Sequence, residues 1–535
     1  MKMVSSILLL LFIPATFAVA DCTQPGKFCH IIIVIQENRT PDNLFGAYPT
    51  FENGVDLATG GYGIIVQNGQ VQREFIHNSP GQLNGTVTVN GSINVTLDPG
   101  HEQPDWVTDY HGGLQDGFCH QTAQTGLCPE YSYVIQSDVQ PYFDIATNYG
   151  FANYMFQTNE GPSYEAHQFL FSGTSAGVLP NDPTYHQYFV ANNASKDVYS
   201  NVGCPYTGSY FPGWVYTDES PLTDPKRSEC YDRDTLVTNS NGDKVASWGY
   251  YTPSTPAIWD APAALSQVCQ HVDNHSCTGT EWTTHVHVAG NGYSDAPIFD
   301  DLFKCNLPAI SWVIPDARYS DHALEDNTGL GPSFVGDIVN AVGGGMSGST
   351  CNSTTNPLYW KREPTAIFIV WDDWGGWFDH VQPWAVYKED SNHRTICPSS
   401  IAPNGWGCGY VSGFRVPLLV VSPYYTQKGY VSGACDASGC NNYKPPYWHD
   451  FGSILKFIET NFNLPSIDQS GDNGYADINA PDNNHPAGNV PLSDFFGSTL
   501  QNFNPIQTLQ PYTCFQAFGT CTGTPYVPSG PDGDE

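Results

Sequence analysis

The sequence predicts an α/β fold organised around a mostly parallel sheet, and three observations support that reading. Four short apolar runs, HIIIVI at 30–35, AISWVI at 309–314, AIFIVW at 366–371 and VPLLVV at 416–421, have the β-branched and aromatic character of strands buried on both faces. Each run stops in turn or acid chemistry: Gln36-Glu37-Asn38-Arg39, Pro315, Asp372-Asp373 before two glycines, and Pro423. The segments between the runs are long, with helical patches, as the crossovers between parallel strands require.

In chain order, residues 1–20 carry Lys2, an apolar core from Ile7 to Phe12, and Ala18-Val19-Ala20 before Asp21, the pattern of a signal peptide cleaved near Ala20. The mature chain is therefore expected to be secreted or periplasmic. No later apolar run approaches the ~20 residues that span a bilayer, so no stable membrane insertion is expected. One main domain is read over 21–500, with insertions at 52–100 and 176–300. Within the first insertion, residues 66–96 combine the alternation Thr86-Val87-Thr88-Val89 with Asn-Gly steps and read as surface β-hairpins. The second is rich in Gly, Tyr, Pro and Cys and reads as a large, loop-rich, disulfide-stapled excursion from the sheet. Phe451, Ile454, Leu455, Ile458 and Phe462 fall at helical spacing and predict an amphipathic, core-packing helix. Residues 501–535 lose periodicity, a C-terminal extension expected to be partly disordered.

Composition excludes several function classes. A formal net charge of −34 with only 19 Lys plus Arg leaves no cation cluster for nucleic acid or an anionic membrane. An anionic substrate would need a locally positive site, and a bound metal with a few Arg and His is the simplest way to make one. Sixteen cysteines fit an oxidising compartment. Their close spacings suggest the local bridges Cys22–Cys29, Cys119–Cys128, Cys269–Cys277, Cys435–Cys440 and Cys514–Cys521. None of these pairs has a histidine at zinc-finger spacing, so bridges are favoured over structural zinc. Sequons at Asn84, Asn90, Asn94, Asn193, Asn274 and Asn352 add to the secreted, loop-rich character.

The candidate chemistry sits where strands end, because ligands of open α/β sheets gather at the carboxyl edge. Asp372 and Asp373 end one run; Glu37 and Asn38 end another. Together they offer hard oxygen donors suited to a divalent metal such as Ca, Mg or Mn. Taken singly, the Asp-Asp-Trp-Gly-Gly stretch also reads as a solvated turn, and Glu37-Asn38 as a cap. Ser163, after the turn-forming Gly161-Pro162, is either a helix N-cap or a nucleophile at a helix N-terminus. His167 shares its helix face and either orients Ser163 or packs. His101 and His322 lie in loops and supply donors for phosphoryl oxygens and a general acid. Asp379-His380 reads as a further ligand pair or a brace.

Five ordered blocks, HIIIVIQENRTPDNLFG, NEGPSYEAHQFLFSGTS, LPAISWVIPDARYSDH, WDDWGGWFDHV and FRVPLLVVSPY, resemble those of the phosphoesterase family that contains bacterial acid phosphatases and phosphocholine-type phospholipases C. The resemblance spans about 27–496 and implies an alkaline-phosphatase-like sheet flanked by helices, with 21–500 as the catalytic domain. It implies that Glu37, Asn38, Asp372 and Asp373 bind the metal together with Ser163, the nucleophile, while His101 and His322 contact the phosphate. The first block often reads Asn-Arg-Ser-Phe-Asp; here it is Asn38-Arg39-Thr40-Pro41-Asp42. The phospholipase branch typically carries a Thr nucleophile followed by Pro-Asn-Arg, where this chain has Ser163-Tyr164-Glu165-Ala166-His167. Phospholipase members also commonly carry small β domains after the catalytic one, and this chain ends before them. The resemblance thus implies a metal-dependent phosphoric ester hydrolase, an acid phosphatase first, with a phospholipase C or other phosphodiesterase as the alternative. The substrate is a small phosphoester or a phospholipid. A non-catalytic secreted binding protein is the third reading, and retention of Ser163, Glu37, Asn38, Asp372 and Asp373 speaks against it.

Overall fold

The computed structural model describes residues 27–516 except 68–69, 121–126, 176–187, 193–202, 207–212, 217–229, 240–241, 244–246, 256, 273–275, 325–328, 384–387, 390–394, 397–411, 468–474 and 484–489. The proposed signal peptide at 1–20 and residues 517–535 lie outside these.

Eight strands form the main sheet: β1 His30–Gln36, β2 Gly150–Ala152, β3 Trp248–Thr252, β4 Val286–Val288, β5 Ile310–Val313, β6 Thr365–Trp371, β7 Leu418–Val421 and β8 Tyr430–Ser432. Their order across the sheet is β4-β3-β5-β1-β6-β7-β2-β8. All neighbours run parallel except at β7, which is antiparallel to both β6 and β2. The four apolar runs are therefore strands, and three of them, β5, β1 and β6, lie side by side at the centre. Every residue of β1 and β6 is buried, as an apolar run with no polar alternation requires.

Helices cover both faces. Trp312 on β5 and Phe368 on β6 are both in register with Ile33 and so face the same way. Phe368 packs on Phe457 of the helix Phe451–Phe462. The Trp312 indole donates to the carbonyl of Leu170 in the helix Ser163–Ser172. Trp371, three residues beyond Phe368, points to the other face and packs on Tyr142 of the helix Gln136–Asn148. That helix lies against the helix Leu330–Gly344. Phe451–Phe462 buries Phe451, Ile454, Leu455 and Ile458, with Asp450 accepting from the Ser453 amide as an N-cap.

The first insertion contains the expected hairpins, Gly60–Gln67 with Gln70–His77 and Thr86–Val89 with Ile93–Thr96. The stretch 176–300 departs from its expected place off the sheet, because β3 and β4 within it extend the sheet's edge. Their sequences, WGYYT and VHV, are too short and too polar to stand out as apolar runs. Bridges Cys119–Cys128, Cys269–Cys277 and Cys435–Cys440 join the expected partners. Cys204–Cys230 and Cys305–Cys351 are further bridges, between cysteines 26 and 46 positions apart, which spacing alone does not reveal. The pairings Cys22–Cys29 and Cys514–Cys521 each involve a residue outside the described set. Residues 501–516 are held to the core; the Ile506 amide and carbonyl, for example, both bond to the Asn340 side chain. Asn352, read as a sequon, is buried: its amide donates to the carbonyls of Leu302 and Ala341 and accepts from the Leu358 amide. It is a structural residue.

Candidate functional site

Strand register brings the acids together. Gln36 and Trp371 form the last rung between β1 and β6, so Glu37-Asn38 and Asp372-Asp373 leave the sheet side by side. The backbone N–H groups of Asn38 and Asp373 both donate to Asp372 Oδ1, at 3.0 and 2.8 Å. Asn38 takes a left-handed φ of 56°, which asparagine tolerates better than most residues. The glycine pair also has a spatial reason. A Cβ on Gly375 would lie 2.3 Å from the Asn38 carbonyl oxygen, and one on Gly376 would lie 2.5 Å from the Gly100 carbonyl oxygen, beside His101. The solvated-turn reading of this stretch therefore fails: Asp372 and Asp373 are fully buried.

Ser163 is supplied by a helix, at its first turn, with Pro162 in the N-cap position. Ser163 is thus the first helical residue and not the N-cap. Ser163 Oγ lies 3.3 Å from Glu37 Oε2, 3.4 Å from Asn38 Oδ1 and 3.2 Å from Asp373 Oδ2. His101 and His322 close the other side. His101 Nδ1 donates to the Pro99 carbonyl and His322 Nδ1 to the Ala323 carbonyl, each at 2.7 Å. Both Nε2 atoms are thereby turned inward, 2.9 Å from one end of the Asn38 amide. The structure thus brings all seven of Glu37, Asn38, His101, Ser163, His322, Asp372 and Asp373 into one buried cluster. Arg39, next in sequence, turns away: it donates to the carbonyls of Asp321 and Leu83 and to Asn43 Oδ1, fastening loops.

The donor set fits a divalent cation. The other end of the Asn38 amide lies 3.1 Å from Asp372 Oδ1 and 3.3 Å from Asp373 Oδ2. With its nitrogen there, the amide would bond both carboxylates; with its oxygen there, it becomes one more acceptor in a shell of acceptors, an orientation that a cation makes favourable. Ligands at ~2.1–2.4 Å from a shared ion and a right angle apart stand roughly 3.0–3.4 Å from one another, the spacing found around Ser163. Asp372 Oδ2, fully buried, has no hydrogen-bond partner. Like charges at such range also resist ionisation. Burial and the Asp372 charge push Glu37 up to about 7, and burial with Asp372 pushes Asp373 well above the carboxylate range.

His167, left open by sequence, joins the acids and does not bond Ser163. Its Nε2 is 3.6 Å from both Glu37 Oε1 and Asp372 Oδ2. Burial disfavours its charge, but the two carboxylates outweigh that and raise it to about 9.

Asp379-His380, read as a ligand pair or a brace, sits in a neighbouring network with Arg415, Asp42 and Asp56 that sequence reasoning did not single out. Arg415 donates to Asp379 Oδ1 and Oδ2 at 3.0 and 2.9 Å, and to Asp42 Oδ1 at 3.4 Å. His380 Nδ1 lies 2.7 Å from Asp42 Oδ2 and its Nε2 lies 3.0 Å from Asp56 Oδ1. The one available signal was Arg415 itself: an arginine opening an apolar strand run must be paired if it is buried.

Comparison with known proteins agrees with the motif blocks. The sequence model of the Phosphoesterase family matches residues 28–465. The non-hemolytic phospholipase C of Pseudomonas aeruginosa is 26% identical over 458 residues, covering 81% of this chain and 54% of that protein. The non-hemolytic phospholipase C of Burkholderia pseudomallei is 22% identical over 453 residues, 81% of this chain and 55% of that protein. The hemolytic phospholipase C of Pseudomonas aeruginosa is 22% identical over 459 residues, 81% of this chain and 53% of that protein. The chain spans about half the length of these relatives.

Proposed function

Since the chain belongs to the Phosphoesterase family, we propose that it is a secreted, metal-dependent phosphoric ester hydrolase, an acid phosphatase working through a phosphoserine on Ser163. The observation that carries this reading is the position of the Ser163 hydroxyl, at a helix N-terminus and within 3.2–3.4 Å of Glu37, Asn38 and Asp373 oxygens. Glu37, Asn38, Asp372 and Asp373 would hold the cation together with Ser163. A divalent ion there supplies the positive charge that acidifies the serine hydroxyl and offsets the phosphoryl oxygens.

The chain's own groups divide the remaining work. Ser163 Oγ attacks phosphorus, forming the serine ester as the bond to the leaving alkoxide breaks. The start of the Ser163–Ser172 helix, with its N-terminal dipole, favours the phosphoryl anion beside it. His101 and His322 are each oriented by an Nδ1 bond to a carbonyl, so Nε2 is the nitrogen that can donate to phosphoryl oxygens or protonate the leaving oxygen. Water then attacks the phosphoserine, releasing phosphate and restoring the hydroxyl.

A second reading, phospholipase C, is favoured by the relatives, which are phospholipases C. The Ser163-Tyr164-Glu165 sequence, in place of the Thr and Pro-Asn-Arg typical of that branch, favours the monoesterase. The bridges of the structure fit an extracellular or periplasmic protein, and among the described residues no helix is long and apolar enough to cross a membrane.

The deciding experiment compares p-nitrophenyl phosphate with p-nitrophenylphosphorylcholine at mildly acidic and mildly alkaline pH, with and without chelator, in wild type and Ser163→Ala. Chelator-sensitive turnover of the monoester that Ser163→Ala abolishes is the expected result. Preference for the choline diester moves the protein to the phospholipase reading, near-wild-type activity in Ser163→Ala removes Ser163 from the mechanism, and silence on both substrates points to a binding protein.

A further inference from the structure

We propose that His167 is a nitrogen ligand of the divalent cation, binding through Nε2 together with Glu37 Oε1 and Asp372 Oδ2. The proposal deepens the reading of this cluster as a metal centre and rests on it.

The geometry carries the argument. Glu37 presents its two oxygens to different neighbours: Oε2 to Ser163 and Oε1 to His167. Asp372 does the same, with Oδ1 taken by the amides of Asn38 and Asp373 and Oδ2 left for His167. His167 Nε2 is 3.6 Å from each of these two free oxygens. At 3.6 Å neither gap is a hydrogen bond, so neither oxygen satisfies Nε2 directly. Two donors bound at ~2.1 Å with a tetrahedral angle between them stand roughly 3.4 Å apart, close to what is seen on both sides.

The side chain has no competing partner. Both ring nitrogens of His167 and Asp372 Oδ2 are buried without a hydrogen bond, and His167 is fully buried. A buried imidazole in that state needs a partner on Nε2, and two carboxylate oxygens placed symmetrically about it define where a cation would sit. The helix supplies the rest: His167 lies four residues beyond Ser163 and so one turn along the same face. One helix then delivers an oxygen and a nitrogen to the same centre.

This changes the expected ion. An all-oxygen shell suits Ca or Mg, whereas an imidazole beside two carboxylates favours a first-row transition ion such as Mn, Co or Zn.

The test is the electron spin-echo spectrum of the intact enzyme loaded with Mn(II), a readout independent of turnover. Directly bound imidazole produces nitrogen modulation. The expected result is modulation in the wild type that persists in the double variant His101→Asn/His322→Asn and is lost in His167→Gln. If His167→Gln does not fold, the comparison of wild type with the double variant decides the matter, because the double variant lacks the other two imidazoles in the cluster. Mn(II) bound in the wild type without nitrogen modulation overturns the His167 assignment and leaves the metal centre standing. Modulation that disappears in the folded, Mn(II)-loaded double variant, or survives in His167→Gln, also overturns it. No Mn(II) binding by the wild type overturns the metal centre together with the assignment.

Discussion

Gly375→Ala tests whether the glycine pair exists to let two loops approach or only to make a turn. Gly375 has a φ of 61°, and the new Cβ would meet the Asn38 carbonyl oxygen at 2.3 Å and the Asn38 Cβ at 2.7 Å. The left-handed conformation by itself costs roughly 1–2 kcal/mol for an L-residue. Ordinary van der Waals contact would require the Asn38 backbone to retreat by on the order of 1 Å, an overpacking strain of about 1–3 kcal/mol. The sum, about 2–5 kcal/mol, separates the variant from a control that shares only the first cost. Gly290→Ala is that control: its φ is 78° and no atom lies within 4 Å of where its Cβ would stand. Urea unfolding of both variants beside wild type should place Gly290→Ala within about 2 kcal/mol of wild type and Gly375→Ala clearly below it. Because the displaced residue is Asn38, Gly375→Ala should also lose phosphoesterase activity and weaken metal binding, while Gly290→Ala keeps both. Equal stability and equal activity in the two variants would refute the close-approach argument and return Gly375 to a simple turn residue.

Three further outcomes are expected. Arg415→Met leaves Asp379 buried without its cation, while Asp42 keeps His380, and should cost about 3–5 kcal/mol in chemical denaturation, the range for breaking a buried pair from one side; a loss under about 1 kcal/mol would show that the network relaxes into water. Asp337 is buried on the helix Leu330–Gly344, and burial raises it to about 7 despite the bond from Thr508. A carboxyl raised on folding binds its proton more tightly in the folded state, so its contribution is full below the ordinary carboxylate pKa and is lost as pH rises through about 7. Asp337→Asn should therefore gain on wild type by up to about 1.4 kcal/mol per pH unit across that window, read as a widening Tm difference, and a pH-independent difference would refute the shift. Asn352→Ala removes partners from two carbonyls and one amide and should destabilise by about 1–3 kcal/mol for each group left unsatisfied; an unchanged Tm would mean that water replaces the side chain.

The parts of this fold that were legible in the sequence are those whose information is local. β1 and β6 stand out because a strand buried on both faces must be apolar throughout, and their ends stand out because acids directly after such a run have few structural uses. The helix Phe451–Phe462 is visible in its period, and Cys119–Cys128, Cys269–Cys277 and Cys435–Cys440 in their spacing. What stayed hidden depends on pairing over distance. β3 and β4 are strands because they extend an edge beside β5, and nothing in WGYYT or VHV announces it. Cys204–Cys230 and Cys305–Cys351 close loops whose geometry exists only in the folded chain. The seven site residues were named from strand ends, a helix start and motif blocks, whereas the place of His167 depends on which oxygen of Glu37 and Asp372 turns toward it. That is a question of rotamers, not of sequence.

Two buried acid clusters stand on one loop, and the contrast between them is informative. Asp379, six residues beyond Asp373, lies with Asp42 and Asp56 in a network where Arg415 and His380 answer the carboxylates directly. His380 is held charged there: burial opposes the charge, but Asp42 and Asp56 raise it to about 10. Such a cluster is complete in itself, and its work is to fix the loop. Glu37, Asp372 and Asp373 are just as buried, yet among the described residues no arginine or lysine bonds them; Arg39, adjacent in sequence, is spent on carbonyls. Burial of three carboxylates with that little compensation costs several kcal/mol. With the Asp379 cluster answered so fully a few residues away, the shortage of cationic partners around Glu37, Asp372 and Asp373 at the carboxyl edge of the sheet supports the proposed binding of a divalent ion there. A serine hydroxyl at the centre of the cluster is what the proposed phosphoryl transfer requires.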